Sequence, residues 1–371
     1  MAKAFGIINS PANYINVEGL QKYRPIGAFS FAGKYRVIDF PLSNMSNSGI
    51  DRIVAYVREN PRSLTEHVRT AGNYNINSKR GHIQVLFAET NSASDIYNTD
   101  IAVFMENLSI IERMTIPYVI IVPSYMVFTQ NFDDLLRQHI ESRADITLLY
   151  HHTNEAKDYF LQSDFLKLNR QKGVEGIERN RGTAKDRDIF MDTYIMSREL
   201  FIELVKKAVS LSSIYTLCQI VAMSTRELDI RGVAHRGYFA ALTDFKSYFT
   251  ANLELLDPDA QSQLFSAQWP IYTDTSDFCP THYFSGASAK NSLISNGCVI
   301  RGTVENSIVG RGAVIEEGAV IKNSLIMAHS HIGKGIHLEY QLIDKWADVL
   351  HVDEIIGTPD KLGYVRREDI I

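Results

Sequence analysis

Residues 306–326, which read NSIVGRGAVIEEGAVIKNSLI, decide how the C-terminal part of the chain folds. Val309, Ile315 and Ile321 lie six residues apart in this stretch, and pairs of glycines and alanines repeat with the same spacing. An aliphatic residue at a fixed point of a six-residue repeat is the signature of a hexapeptide β-helix. In such a helix, each hexapeptide forms one side of a triangular coil, and the repeated aliphatic side chain points inward.

A longer repeat extends this pattern in both directions. The dipeptide Asn-Ser, followed by two aliphatic residues, begins at Asn291, Asn306 and Asn323, and small residues permit the tight corners of such coils. The two periods together predict a left-handed parallel β-helix of hexapeptide repeats over residues 285–371. The alternative, a loose and glycine-rich region of strands, does not account for both periods.

The N-terminal two thirds of the chain alternate short apolar runs with helical segments. Apolar residues recur at helical spacing over residues 95–112 and 132–142. Continuous β-branched runs, typical of strands buried on both faces, occupy residues 5–8, 52–57, 118–122 and 146–150. This alternation predicts a Rossmann-like α/β domain with a mostly parallel sheet over residues 1–246. Prolines interrupt residues 247–284, which we interpret as a linker region.

The composition narrows the class of protein. The 371 residues carry a net charge of −5, and none of the three cysteines belongs to a C-x-x-C pair. This balance gives no reason to expect a nucleic-acid partner, and such cysteines predict reduced thiols rather than a zinc site. The sequence begins without a signal-peptide pattern and has no apolar run of 18 residues. We therefore expect a cytoplasmic protein without a membrane span.

Two motifs carry a resemblance to a known family. Residues 32–50, AGKYRVIDFPLSNMSNSGI, resemble the motif G-G-K-Y-R-x-I-D-F-x-L-S-N-x-x-N-S-G-I of bacterial glucose-1-phosphate adenylyltransferases, also called ADP-glucose pyrophosphorylases. Residues 237–256 resemble the family's G-Y-W-x-D-x-G-T-x-x-S-Y-x-x-A-N-x-x-L-L. The resemblance implies a nucleotidyltransferase domain before the β-helix. Active members join ATP to glucose 1-phosphate, using a glycine-rich loop, basic side chains and two aspartates that hold Mg²⁺.

The phosphate loop of that family, G-G-x-G-T-R-L, has lost its glycines here. The corresponding residues 11–17 read PANYINV, and Asn16 stands where the phosphate-binding arginine is expected. Glycines in such loops let backbone N–H groups approach phosphate, whereas Pro11 has no N–H and Tyr14 adds bulk. The family's R-A-K-P motif becomes R-P-I-G, so that Ile26 replaces its lysine.

Both metal-binding aspartates of the family are also replaced. The motif S-G-D-H becomes P-S-Y-M, with Tyr125 at the aspartate, and G-Y-W-x-D becomes G-Y-F-A-A, with Ala241. The lysine of E-K-P, which meets the sugar phosphate, corresponds to Arg179, and G-T-A-D-A becomes N-S-A-S-D at residues 91–95. Losing one preorganised charge-stabilising group costs about 3–4 kcal/mol of transition-state stabilisation. The resemblance therefore predicts a degenerate pocket at Asn16, Ile26, Tyr125, Arg179 and Ala241.

The departures resemble those of the non-catalytic, GlgD-type chains of this family, which occur beside a catalytic GlgC-type chain. The resemblance implies a regulatory subunit in a heterotetramer, with no cofactor of its own and with Mg²⁺ in the catalytic partner. A homo-oligomer of this chain alone is a further possibility. Two alternatives remain open, namely an active adenylyltransferase with a metal site rebuilt around Asp192 or Asp244, and a stand-alone sensor of sugar phosphate or nucleotide.

Lys34 and Arg36 lie inside the first matching motif. In the family, the lysine that matches Lys34 is near the site for phosphorylated activators, between the two domains. The resemblance therefore implies that Lys34 and Arg36 bind a phosphorylated effector, for which two nearby cations are suited. The alternative is that both side chains only form salt bridges at the domain interface.

Overall fold

The computed structural model describes residues 4–10, 15–17, 19–58, 60–68, 71–77, 79, 81–87, 97–275 and 277–371. Its N-terminal strands are β1 (Ala4–Asn9), β2 (Ser30–Phe31), β3 (Tyr35–Arg36), β4 (Arg52–Val57), β5 (His82–Phe87), β6 (Tyr118–Pro123), β7 (Met126–Phe128), β8 (Ile146–Thr153), β9 (Asp164–Leu168), β10 (Val174–Arg179), β11 (Arg187–Ser197), β12 (Ile230–His235) and β13 (Phe239–Ala241). Its helices are α1 (Asp39–Asn47), α2 (Arg62–Val68), α3 (Asp100–Glu106), α4 (Leu108–Glu112), α5 (Phe132–Ser142), α6 (Arg198–Leu211), α7 (Leu217–Met223), α8 (Phe245–Glu254) and α9 (Pro258–Leu264).

Within the described ranges, nine of these strands form one sheet. Its order is β10-β9-β11-β6-β1-β4-β5, and β8 pairs with both β11 and β12. The strands β6, β1, β4 and β5 run parallel to one another, as does the pair β8 and β12. The long strand β11 runs antiparallel to β6 and β8 and joins these two parallel parts.

Both faces of the sheet are covered, as the continuous apolar runs predicted. In β1, Phe5 and Ile7 belong to one core and Ile8 to the other, because successive side chains of a strand point to opposite faces. The helices α3, α4, α6 and α7 pack on the first face, and α1, α2, α5 and α8 on the second. The α/β fold class is therefore confirmed.

The C-terminal part of the described chain is a parallel β-helix, which confirms the prediction from the repeats. Three five-stranded sheets form its sides. Ile300, Ile315, Ile332 and Val349 stack in register inside it, each 0% exposed. The strands are β14 (His282–Tyr283), β15 (Ser288–Lys290), β16 (Leu293–Ile294), β17 (Val299–Ile300), β18 (Thr303–Glu305), β19 (Ile308–Val309), β20 (Val314–Ile315), β21 (Val320–Lys322), β22 (Leu325–Ile326), β23 (His331–Ile332), β24 (His337–Glu339), β25 (Gln341–Ile343), β26 (Asp348–Val349), β27 (Glu354–Ile356) and β28 (Gly363–Val365).

The structure also explains the asparagines of the longer repeat. Asn291, Asn306 and Asn323 turn one corner of successive coils with φ values of 43°, 48° and 46°. Asparagine tolerates this left-handed conformation better than most residues. The side chain of Asn291 also donates a hydrogen bond of 2.8 Å to the side-chain oxygen of Asn306. The corners therefore depend on asparagine as well as on the small residues that the sequence analysis singled out.

The region between the two domains contains regular structure. Helix α8 begins at Phe245 and so crosses the predicted boundary at residue 246, and α9 follows within residues 247–284. Pro258 occupies the first turn of α9, where its missing N–H costs nothing. Arg24 forms a buried ion pair with Asp344 of the β-helix, so the two domains pack directly against each other. Among the described residues, no helix is both long enough and apolar enough to cross a membrane.

Candidate functional site

Positions 125 and 241, which the resemblance assigns to the two metal-binding aspartates, are close in the backbone where β7 meets β13. Strand β7 pairs antiparallel with β13, so that Met126 is opposite Ala241. The backbone N–H of Leu242 donates a hydrogen bond of 2.9 Å to the carbonyl oxygen of Tyr125. The fold therefore brings together two positions that the sequence motifs place far apart along the chain.

Tyr125 and Arg179 line a cavity of about 470 Å³ beyond the ends of β1 and β6. Asn9 and Ser10, where β1 ends, also line it, as does Asp192 of β11. In open α/β sheets, ligands bind in the crevice outside the carboxyl ends of the strands. We call this the carboxyl-edge cavity, and it is where this fold offers a ligand site.

Asp192 is the most unusual residue of the carboxyl-edge cavity. Its φ of 45° is in the left-handed region, and it lies where β11 shifts register against β8. The hydroxyl groups of Tyr194 and Tyr125 donate to its carboxylate at 2.8 and 3.3 Å. Burial raises the pKa of Asp192 to about 7, because a low dielectric disfavours the charged form. Strained backbone of this kind clusters at functional sites.

Further carboxylates of the cavity are engaged by protein groups. Arg179 donates from Nε to Asp164 at 3.2 Å, and the thiol of Cys218 lies 3.7 Å from the same carboxylate. Asp100 accepts the backbone N–H of Leu217 at 3.1 Å. Burial raises the pKa of Asp100 and that of Cys218. The arginine that the sequence assigned to a sugar phosphate is thus held by an aspartate.

The donor set at the predicted metal positions does not fit Mg²⁺. This ion prefers carboxylate and water oxygens in octahedral geometry, whereas Tyr125 offers a phenol and Ala241 a methyl group. In the part of the chain that the structure describes, no group of three His, Cys, Asp or Glu side chains is placed to hold a metal ion. Asp244, a suggested replacement ligand, accepts the backbone N–H of Ser247 at 2.7 Å and so caps α8.

Three other predicted pocket residues lie outside the carboxyl-edge cavity. Ala241 lines a separate cavity, next to Phe239 and Ala240. Asn16 is exposed, and it is not among the residues that line this cavity. Ile26 is 1% exposed and belongs to the apolar core, so the position that the resemblance gives to a lysine is here part of the packing. Residues 11–14 and 91–95, which hold the altered loop and the altered G-T-A-D-A motif, lie outside the described residues.

Lys34 lines a larger cavity, of about 880 Å³, between the two domains. Arg311 of the β-helix lines it too, and donates to the backbone oxygens of Lys34 and Asp274 at 3.1 and 3.4 Å. Burial lowers the pKa of Arg311. We call this the interdomain cavity. Its two cations come from different domains. The affinity for a ligand that contacts both cations would therefore depend on how the domains are arranged.

Arg36 does not line the interdomain cavity but lies near a second group of cations. Its guanidinium donates to the carbonyl oxygen of Ser63 at 2.5 Å, and burial lowers its pKa. Burial also lowers the pKa of Lys345 well below its usual value, and the charges of Arg36 and Arg24 add to this effect. The carboxylates of Asp39 and Asp344 also act on this group and raise the pKa of Arg36 and that of Lys345, respectively.

Comparisons with protein families agree with both domains. Residues 19–161 match the family of nucleotidyl transferases. Residues 276–362 match the C-terminal hexapeptide family of GlmU-like proteins.

Similar proteins cover almost the whole chain. The glycogen biosynthesis protein GlgD of Geobacillus stearothermophilus is 31% identical over 325 residues, which is 86% of this chain and 83% of the relative. The chain belongs to the GlgD family. GlgD of Bacillus subtilis is 28% identical over 98% of this chain and 95% of its own length. The glucose-1-phosphate adenylyltransferase of Clostridium perfringens strain SM101 is 26% identical over 82% of this chain and 79% of its own length.

Several residues of the two cavities in this GlgD-family chain escaped the sequence analysis. Asp100 and Asp164 are single carboxylates without a motif, on a helix and a strand that only the complete fold brings near Asp192. Arg311 of the interdomain cavity lies in the β-helix repeats, where the aliphatic positions dominate the pattern. The one available signal was a cation within a hexad, which is common among the polar positions of any such repeat.

Proposed function

We propose that this chain is a regulatory, catalytically degenerate subunit of glucose-1-phosphate adenylyltransferase, and that it acts in glycogen biosynthesis by modulating a catalytic GlgC-type partner. The observation that carries the proposal is the pair formed by Tyr125 and Ala241. They are adjacent at the positions that the resemblance gives to two metal aspartates, and neither can act as a carboxylate ligand. The names and lengths of the relatives support a role in glycogen biosynthesis.

The chemistry of adenylyl transfer explains why this pair matters. The metal ion neutralises the charge that develops on the phosphate oxygens, and its loss removes the main electrostatic stabilisation of the transition state. Arg179 is paired with Asp164, and Tyr125 donates to Asp192. The groups of the carboxyl-edge cavity therefore satisfy one another, which favours a structural or binding role for this cavity in the chain.

The regulatory part of the proposal rests on the interdomain cavity and the nearby cations. Lys34 and Arg311 face one cavity from two domains, and Lys345 lies close to Arg36. A phosphorylated metabolite bound between the domains would fix their arrangement. In a heterotetramer, a change in that arrangement would reach the catalytic GlgC-type subunit through the subunit contacts.

Pyrophosphate release tests the proposed function directly. We expect no turnover by the purified chain with Mg²⁺, ATP and glucose 1-phosphate, because the metal carboxylates are replaced. We expect that adding the GlgC-type chain of the same organism yields a rate or an effector response that differs from that of the GlgC-type chain alone. Turnover by this chain alone would overturn the proposal in favour of a rebuilt active site. If the rate and the effector response of the GlgC-type chain stayed the same in the mixture, a stand-alone sensor would be favoured.

Substitution of Lys34 tests the effector site in the same mixture. We expect Lys34→Ala to raise the concentration of the probe effectors, inorganic phosphate and glucose 6-phosphate, needed for half of their effect by about tenfold, since a charge-assisted contact is lost. Lys334→Ala is the matched control, because Lys334 is an exposed lysine of the β-helix that does not line the interdomain cavity. Equal responses of the two variants would rule out this cavity as the effector site.

A further inference from the structure

A third cavity, of about 560 Å³, lies between the loop after β8, strand β13 and helix α8. Its lining combines aromatic and acidic side chains, of which the principal ones are Glu155, Tyr159, Phe160, Tyr238, Phe239 and Glu254. We call it the acidic aromatic cavity. It is separate in its lining from the interdomain cavity and from the carboxyl-edge cavity.

Aromatic rings form one wall of this cavity. Phe160 and Phe239 stack with their centroids 5.2 Å apart and their planes at 10°, and the ring of His151 lies 5.2 Å from that of Phe239. Phe160 adopts a φ of 56°, which a bulky residue rarely does. The hydroxyl of Thr243 donates to the carbonyl oxygen of Leu161 at 3.2 Å and holds this turn against β13. Phe160 is thus kept in an unfavourable backbone conformation, in which its ring stacks on that of Phe239.

The polar part of the cavity carries an excess of negative charge. Glu155, Asp158 and Glu254 line it, and the ion pairs found among the described residues include none with these three carboxylates. Its lysine, Lys246, is paired with Asp360 outside the cavity at 3.0 Å. The negative charge of the cavity is therefore not balanced from within its own lining.

Glu254 shows the effect of this imbalance most directly. Burial raises its pKa, and the charge of Glu155 raises it further. The hydroxyl of Tyr238 donates to its carboxylate at 3.1 Å, which orients the carboxylate but brings no positive charge. A cation placed beside Glu254 would relieve both the repulsion and the cost of burial.

We propose that the acidic aromatic cavity binds an organic cation, an ammonium or guanidinium group carried on a hydrocarbon chain. Aromatic faces attract such cations through their quadrupoles, and carboxylates accept their N–H groups in charge-assisted hydrogen bonds. The described residues offer no cluster of three ligating side chains for a metal ion, and the negative lining repels phosphates. Ala241 lines this cavity too, but the proposal does not rest on the regulatory function, whose effector site is the interdomain cavity.

Agmatine, which has a guanidinium at one end and an ammonium at the other, is a suitable probe. We expect saturable binding to the full-length chain by titration calorimetry at neutral pH, and no binding of uncharged butanol. We expect Glu254→Gln to weaken agmatine binding about tenfold, because a charged contact is lost. Tyr159→Ala should weaken it about threefold through the loss of an aromatic face. Tyr159 is 46% exposed, so this variant should fold.

Glu203→Gln is the matched control, since Glu203 is an exposed carboxylate on α6 that does not line the cavity. It should bind agmatine as the parent chain does. Tighter binding of N-acetyl-arginine amide than of agmatine would point to a protein-borne cation as the natural occupant, and the reverse to a free amine. The proposal is overturned if agmatine does not bind, or if Glu254→Gln and Glu203→Gln weaken it equally.

Discussion

Replacing Asp344 with asparagine is expected to lower the free energy of unfolding by about 3–5 kcal/mol, the usual cost of removing one member of a buried ion pair. Arg24 is 3% exposed and Asp344 is 0% exposed, so the guanidinium would stay buried without its counter-charge. Asp344 also accepts the hydroxyl of Tyr364 at 2.9 Å and the backbone N–H of Lys345 at 2.7 Å. An asparagine retains only part of this hydrogen bonding, because one of its side-chain groups is a donor.

Urea denaturation, followed by circular dichroism, measures this effect. Because the ion pair joins the two domains, we also expect the unfolding transition of the variant to broaden or to separate into two steps. The double variant Arg24→Met with Asp344→Leu removes both charges and should recover much of the loss, since well-packed apolar pairs can replace buried ion pairs.

Asp360→Asn provides the matched control for charge. The side chain of Asp360 is 92% exposed and its pair with Lys246 lies at the surface, so its loss should cost less than about 1 kcal/mol. If Asp344→Asn destabilised the chain no more than Asp360→Asn does, the interdomain ion pair would not hold the domains together.

The sequence predicted the fold well because its strongest patterns are local. The stacking of Ile315 follows from a six-residue period, and β1 follows from one continuous apolar run. The strand β11 was not predicted, because its apolar residues are interrupted by Asp192 and Thr193 at the register shift. Only the pairing with β6 and β8 defines it as a strand.

The site was predicted in part for a related reason. Two motifs identified Tyr125 and Ala241 as members of one site. The structure places them on adjacent strands, but Tyr125 lines the carboxyl-edge cavity and Ala241 the acidic aromatic cavity. The contacts of Arg179 with Asp164, and of Arg24 with Asp344, join residues that no local pattern connects. Such pairs form only in the complete fold, whereas a motif can be recognised from the sequence alone.

Asp192→Asn is expected to stabilise the chain more at pH 8 than at pH 5. The usual pKa of an aspartate is 3.8, and burial raises that of Asp192 to about 7 in the folded chain. Between these values the unfolded chain has released a proton that the folded chain still holds, so the wild-type chain loses stability as the pH rises. Above pH 7 the loss is complete, because both states are then ionised.

The size of this effect on stability follows from the interval between the two pKa values of Asp192. About three pH units, at about 1.4 kcal/mol each, give about 4 kcal/mol, and residual solvent access to the side chain reduces this to about 2–3 kcal/mol. Asparagine cannot ionise, tolerates the left-handed φ of this position, and still accepts the hydroxyl of Tyr194. The variant should therefore escape this loss. About a third of the interval already lies below pH 5, so the gain should be about 1–2 kcal/mol larger at pH 8 than at pH 5.

Free energies of unfolding at pH 5 and pH 8, obtained from urea titrations, test this expectation. Asp186→Asn is the control for net charge, since Asp186 is an exposed aspartate whose removal should give a similar small change at both pH values. A gain from Asp192→Asn that is equal at pH 5 and pH 8 would mean that Asp192 is ionised throughout. The two tyrosine hydroxyls would then hold a carboxylate rather than a carboxylic acid, and the carboxyl-edge cavity would carry one more negative charge at neutral pH, which would disfavour any phosphate there.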